Sequence, residues 1–208
     1  MPALRCQCLW HLISLLCSCE LSEPAHPGVA SSCQTFVIGH ILGQLGEHPR
    51  QPGAPFRDSG YRPQWHQDLD NLEAAYLRRP RSALLVARHG GELLGTAAVR
   101  PCELASPPNP GWLAERYNQA DVCQLVRVWV SGRGRRRGLG RALVEHAVAW
   151  STGPGGYGRV YLHTDAGVPG AEAFWRALPT REVHDSRPDP FNCVHFEINV
   201  EALLNRAG

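Results

Sequence analysis

The 208-residue sequence contains no lysine, and all 21 of its basic residues are arginine. A Schiff-base enzyme needs a side-chain amine, and a Walker A loop needs its lysine on the phosphates. Pyridoxal enzymes, P-loop NTPases, protein kinases and Ser-x-x-Lys acylases are therefore excluded together. With 21 glycines and 17 prolines alongside, the bias reflects a GC-rich coding sequence and carries no mechanism. There is no run of about 18 uncharged apolar residues, so a membrane span is not indicated. Gly-x-Ser-x-Gly, His-Glu-x-x-His and calcium-loop patterns are also absent. The net charge of +2 forces no class of partner.

What is present suits a folded domain. Apolar residues make up 43% of the chain and charged ones 19%, too apolar for wholesale disorder. The length supports one domain of roughly 150–200 residues. Five of the eight cysteines, Cys6, Cys8, Cys17, Cys19 and Cys33, crowd the first 33 residues, and only Cys102, Cys123 and Cys193 lie beyond. Stapled secreted folds are smaller and spread their bridges through the core, so free thiols are expected. No zinc-ligand spacing follows the Cys-x-Cys pairs, and no metal is expected.

Residues 1–33 read as a leader, disordered or dispensable, ahead of a domain spanning 34–208. Leu9 to Leu16 faintly imitates a signal peptide, but His11 interrupts it and no clean cleavage site follows. A cleaved signal, a lipidated cysteine or a misassigned start codon are alternatives. The expected location is cytoplasmic.

Residues 47–64 are rich in Pro and Gly and read as loop. Leu69, Leu72, Ala75 and Tyr76 fall at helical spacing within His66–Arg79, and Pro80 ends that pattern. Ala83–Ala87 and Leu93–Val99 flank Gly90-Gly91 as an antiparallel hairpin. Pro101 to Asn118 is a long proline-rich connection of the kind that is often functional.

Val122–Val130 reads as a strand with Val126, Val128 and Val130 on one face and Leu125, Arg127 and Trp129 on the other. After a Gly- and Arg-rich turn, Leu139, Ala142, Leu143, His146, Ala147 and Trp150 mark one face of a helix. Val160–Leu162, Ala171–Leu178 and Val194–Val200 read as strand, helix and strand. This mixed order predicts an α/β (α+β) domain with one central mixed sheet flanked by helices.

The segment Val130-Ser-Gly-Arg-Gly-Arg135-Arg-Arg-Gly138-Leu-Gly140-Arg-Ala-Leu143 has the makings of an anion site. The first-turn N–H groups of a helix lack internal partners, and the helix dipole favours negative charge there. Gly138 and Gly140 lack Cβ atoms that would keep a phosphate off the backbone. Arg135, Arg136, Arg137 and Arg141 add donors and charge. A pyrophosphate fits this description. A solvated surface turn does not explain the two glycines at the helix start. An RNA-binding arginine segment fits poorly with so small a net charge and no aromatic stacking platform.

The same segment resembles the acetyl-CoA loop of the GNAT N-acetyltransferases. Arg135-Arg-Arg-Gly138-Leu-Gly140 matches the family's Arg/Gln-x-x-Gly-x-Gly/Ala pattern, and Val130 stands at the customary offset. Element order agrees from about Ala83 to Val200. The resemblance implies a GNAT-like acyl-CoA fold with a seven-strand mixed sheet that splays beside Val130. It implies acetyl-CoA as acetyl donor, held by Val128, Trp129, Val130, Arg135, Arg136, Arg137, Gly138, Leu139, Gly140 and Arg141. The implied reaction is acetyl transfer to a primary amine, with backbone N–H groups near Val128–Val130 facing the thioester carbonyl. The acceptor would approach past residues 34–80 and the 101–120 loop. Neither a nucleic-acid nor a membrane partner is expected, and a homodimer is compatible with the family.

The polar catalysts depart from the family pattern. Gln124 stands where a Glu is frequent, Trp175 where a Tyr protonates the departing thiolate, and Val168 where an Asn is common. His163 is the candidate general base, since an imidazole of ordinary pKa near 6.5 suits proton removal at neutral pH. Asp165, Tyr157 and Tyr161 are subsidiary candidates. Two other functions compete: a non-catalytic acyl-CoA-binding or sensing module, which Gln124 and Trp175 keep alive, and a Cys123/His163 hydrolase, which lacks any nucleophile signature.

Overall fold

The computed structural model describes residues 63–89, 92–104, 109–188 and 192–205. The leader and the Gly90-Gly91 turn lie outside these residues.

The first helix is shorter than the periodicity implies. Helix α1 covers Pro63–Asp70, and a single π-helical turn follows at Glu73–Leu77. Asn71 interrupts them: its side-chain oxygen accepts from the Ala74 N–H at 2.9 Å, an alternative to the regular helix bond. The apolar stripe still does its work, since Leu72 and Tyr76 are buried against the sheet.

Strands β1 (Ala83–His89) and β2 (Glu92–Pro101) form the expected antiparallel hairpin. The proline-rich connection holds a short helix, α2 (Trp112–Arg116), that the sequence did not announce. Then come β3 (Val122–Val130), α3 (Leu139–Thr152), β4 (Arg159–Asp165), α4 (Ala171–Arg176), β5 (Thr180–Asp185), β6 (Cys193–Ile198) and α5 (Val200–Leu204). Expected as a short strand ending at Leu162, β4 continues through His163 to Asp165. The described residues form a six-stranded sheet in the order β1-β2-β3-β4-β6-β5, where the resemblance implies seven. Every neighbouring pair is antiparallel except β3 and β4.

Helix α3 buries Leu139, Leu143, Val144, Ala147 and Val148 on one face of the sheet. Each such aliphatic side chain contributes about 1.5–3 kcal/mol on leaving water. Trp175 and Leu178 join the same core from the α4 side. The other face carries α1, the π turn and the 102–117 segment, whose Cys102, Leu113 and Tyr117 pack on Tyr161.

The alternation expected along β3 does not hold. Val128 and Val130 share the α3 face with Cys123 and Leu125, while Val126 and Trp129 share the opposite face. The switch falls at Arg127, whose φ is +55° and where the register against β2 shifts between Thr96 and Ala98. This is a β-bulge, one extra residue that exchanges the faces of everything after it. Thr96 pins it by donating to the Arg127 carbonyl at 2.8 Å.

Candidate active site

Two features converge where β3 meets α3. The parallel pairing of β3 and β4 consists of Val122↔Arg159, Cys123↔Val160 and Gln124↔Tyr161, and stops there. Past that point β3 runs on to Val130 and β4 to Asp165 without pairing to each other, leaving a wedge between facing strand edges. The mouth of this wedge lies beside the arginine-rich turn.

That turn is built largely by glycine. Gly134 is the most confined: a Cβ there would lie 2.9 Å from both Leu139 Cδ2 and Val130 Cγ1. Gly138 adopts φ +81° as the N-cap of α3, with open space where its Cβ would be. Gly134 and Arg135 donate their N–H groups to the Ser131 carbonyl, and Ala142 donates to Gly138. Between them, the N–H groups of Arg136 to Arg141 have no backbone acceptor among the described residues. An unbonded run of N–H groups opening a 14-residue helix fits an anion.

The side chains divide the work differently from the expectation. Arg136 and Arg137 are exposed. Arg135 folds back, its Nε donating to the Val130 carbonyl at 3.0 Å, and Arg141 pairs with Glu145 at 2.7 Å along the helix. A Cβ on Gly140 would meet the Phe174 ring at 3.2 Å, so this glycine makes room for α4 and not for a phosphate. Gly134, which the motif passes over, is the glycine the turn needs most. Its signal was the Gly-Arg-Gly spacing directly after β3.

On the opposite face a polar network lines the wedge. The His163 Nδ1 lies 3.3 Å from both Gln124 Nε2 and Tyr161 Oη. Arg100 donates to Gln124 Oε1 at 3.3 Å, which turns the amide nitrogen toward His163, and that nitrogen also donates to Asn109 at 3.1 Å. Burial, with the positive fields of His195, Arg100 and Arg127, lowers the His163 pKa to about 4. The ordinary value assumed from sequence is therefore corrected, and the ring stays neutral at physiological pH. Burial first, with nearby Cys102, Cys193 and Tyr117, pushes the Tyr161 phenol far up. Neither Tyr157, tied to the Arg81 carbonyl at 2.9 Å, nor Asp165, which accepts from the Gly167 N–H at 2.7 Å, touches this network.

The bulge is anchored from the same side. Arg127 donates to Asp68 on α1 through Nε at 2.8 Å and Nη2 at 2.5 Å, and the Tyr76 hydroxyl donates to Asp68 as well. Burial would raise the Asp68 pKa, but Arg127, Tyr76 and Arg100 together hold it below the ordinary carboxylate value. Reading α1 as an amphipathic helix gave no hint of a carboxylate on its buried face.

Other candidates drop away. The Cys123 thiol sits on the α3 face, away from His163, and burial pushes its pKa up to about 12. That removes the hydrolase reading, since the thiolate is the nucleophile. Among the described residues, no disulfide joins Cys102, Cys123 and Cys193. Trp175 is buried and stacks edge-on with Phe174, so nothing at that position donates a proton. A cavity of about 510 Å³ lined by Asp121, Arg159, Arg181 and Glu197 lies at the other end of β4, and its charges are mutually paired. The described residues hold no cluster suited to a metal and no helix long and apolar enough to cross a membrane.

Comparison with known proteins identifies the family. Residues 51–178 match the family model described as the acetyltransferase (GNAT) family. The chain therefore belongs to the GNAT acetyltransferase family. It is 28% identical over 124 residues to mouse N-acetyltransferase 8, covering 60% of this chain and 49% of that protein. This chain thus spans about half the length of that curated relative. An acetyltransferase structure from Streptococcus agalactiae superposes with a TM-score of 0.55 at 14% identity, covering 79% of this chain and 92% of its own. A GNAT-family structure from Staphylococcus aureus gives 0.55 at 15% identity, covering 81% and 94%. At such identities the likeness shows the fold.

Proposed function

We propose that this protein transfers the acetyl group of acetyl-CoA to a primary amine, with the donor in the wedge between β3 and β4. The observation carrying this reading is the conjunction of that wedge with the unbonded N–H run at the start of α3. Acetyl-CoA supplies an activated thioester carbonyl. Gly138, Leu139, Gly140 and Arg141 would offer backbone N–H groups to its pyrophosphate, and Arg136 and Arg137 charge. Val128, Trp129 and Val130, beyond the bulge, would border the thioester. Arg135 and Arg141 serve the loop by holding its shape. His163 is the catalytic residue of this proposal: its ring is neutral, and the Gln124 amide N–H, 3.3 Å from Nδ1, directs the ring's lone pair to that nitrogen. It would take the proton the acceptor nitrogen must lose. A non-catalytic CoA sensor is the second reading, favoured by the burial of Trp175; amine-dependent release of CoA excludes it.

The test is thermal unfolding of the full chain with acetyl-CoA. Saturation at about 100 Kd adds about 2.7 kcal/mol. At roughly 2–4 °C per kcal/mol, Tm rises by about 5–11 °C. The Arg136→Gln, Arg137→Gln double variant alters exposed side chains and should fold normally while losing most of that rise, since charge-assisted contacts are worth about 1.5–3 kcal/mol each. An undiminished shift in the double variant would place the anion elsewhere.

Gln124→Glu tests the role of His163. A carboxylate beside Nδ1 favours the imidazolium and raises its pKa. The ratio of variant to wild-type kcat/KM then falls as pH drops from about 8 to 6, because the variant's base becomes protonated while the wild-type ring stays neutral. A pH-independent ratio removes His163 from proton transfer.

A further inference from the structure

Resting on that reading, we propose that Arg100 binds a carboxylate of the acceptor, so that the molecule acetylated is an amine that also carries a carboxylate. Arg100 stands on β2 directly opposite Gln124, and Gln124 with Tyr161 forms the last rung of the β3–β4 pairing. The guanidinium therefore lies beside the apex of the wedge, one side chain removed from His163. Arg100 Nη2 donates to Gln124 Oε1 at 3.3 Å, and the Gln124 amide nitrogen is 3.3 Å from His163 Nδ1. The Arg100 side chain is 16% exposed, sheltered from water without being sealed. In such surroundings a charge-assisted hydrogen bond is stronger than at an open surface.

This guanidinium has donors to spare. Nη1 is 4.0 Å from Asp68 Oδ1, and Nε is buried with no acceptor among the described residues. Asp68 already accepts two hydrogen bonds from Arg127 and one from the Tyr76 hydroxyl. Two guanidiniums thus share one carboxylate, which leaves a positive charge over. Both arginines act on His163 as positive neighbours. The Glu103 carboxylate is paired with Arg79 at 2.9 Å, and Glu197 pairs with Arg159 and Arg181 at the far end of β4. A second buried donor, Trp112 Nε1, also has no acceptor among the described residues, and its indole stands edge-on to Tyr161 at 6.5 Å. A buried donor left unpaired is costly, so both sides of the wedge apex suit a ligand that brings acceptor oxygens.

A carboxylate supplies the negative charge and the oxygens together, and the planar fork of an arginine matches it. A polycationic amine would instead meet a positive field. The transfer itself is unchanged. The acceptor nitrogen forms its bond to the acetyl carbon, and the bond from that carbon to sulfur breaks. Of the two protons an ammonium acceptor loses, one ends on the CoA thiol and one in solvent. The carboxylate takes no part beyond binding.

The experiment follows CoA thiol release by the full chain with β-alanine, 4-aminobutyrate and 6-aminohexanoate, each beside its methyl ester, and with spermidine. An amidated peptide beginning with aspartate, beside one beginning with asparagine, tells whether the carboxylate belongs to a free amino acid or to a peptide. At least one acid should exceed its uncharged counterpart by about 10-fold or more in kcat/KM per neutral amine, the scale of one hydrogen bond to a charged group. Arg100→Gln should bring that ratio near one while the thermal shift with acetyl-CoA persists, and Arg100→Lys should keep part of it. A purely structural Arg100, holding the Gln124 amide, would lower both members of each pair alike and leave the ratio intact. The wild-type ratio needs no variant, and Arg100→Lys decides the matter where Arg100→Gln fails to fold. Esters or spermidine used as well as the acids, or an unchanged ratio in both variants, would overturn the carboxylate site while leaving acetyl transfer intact. Absence of CoA release with every amine would overturn the acetyl-transfer reading and the site with it.

Discussion

Replacing His163 with alanine is expected to lower kcat/KM by at least about 100-fold, the scale of a lost proton-transfer group. Binding of acetyl-CoA should persist, because the loop that would hold it begins at the far end of β3 and shares no side chain with His163. The thermal shift with acetyl-CoA therefore serves as the control: it should stay near its wild-type size while turnover collapses. Among the described residues the His163 ring makes hydrogen bonds only at Nδ1, with Gln124 and Tyr161, so stability should change little. Unchanged kcat/KM in this variant would move the proton acceptor to another group.

The largest effect on stability is expected at Asp68. Its carboxylate, side chain 6% exposed, is shared between Arg127 at 2.5 Å and Arg100 at 4.0 Å. Removing one partner of a buried ion pair strands the other charge and costs about 3–5 kcal/mol. Asp68→Ala should thus lower Tm by about 6–20 °C. The sign with pH follows from the depressed folded pKa. The carboxylate stabilises the fold fully above the unfolded value of about 3.9, and this contribution is lost as pH falls through the lower folded value. The gap between wild type and Asp68→Asn should be flat from about pH 5 to 8 and close below pH 4. A drop in Tm under about 2 °C for Asp68→Ala would show that Arg127 finds other support.

The parts of the fold written in local periodicity were readable. Helix α3 has its apolar residues at 3.6 spacing, and the β1–β2 hairpin brackets two glycines. Both elements came through with boundaries within a residue or two. Strand β5, Thr-Arg-Glu-Val-His-Asp, is an edge strand with charged residues on its exposed positions, so it lacks the apolar alternation that marks a strand. The bulge was hidden for the opposite reason: Val126-Arg-Val-Trp-Val130 alternates perfectly, and nothing local says that Arg127 takes a positive φ. Asp68, 59 residues upstream in sequence, stabilises that conformation. The glycine- and arginine-rich turn at the start of α3 was legible because a strand, a glycine turn and a helix start are contiguous. The polar network around His163 was not, because Gln124, Tyr161 and His195 meet only when β3, β4 and β6 are laid side by side.

The Asp68–Arg127 pair also bears on re-engineering. On the proposed reading helix α1 lies on the acceptor's side, which would make it a natural segment to exchange in altering acceptor choice. Yet its one inward carboxylate fastens the strand bordering the wedge between β3 and β4. A graft chosen for its outward residues alone would loosen the opposite half of the site. The part of α1 that is free to vary is therefore its solvent face, and position 68 has to travel with the scaffold.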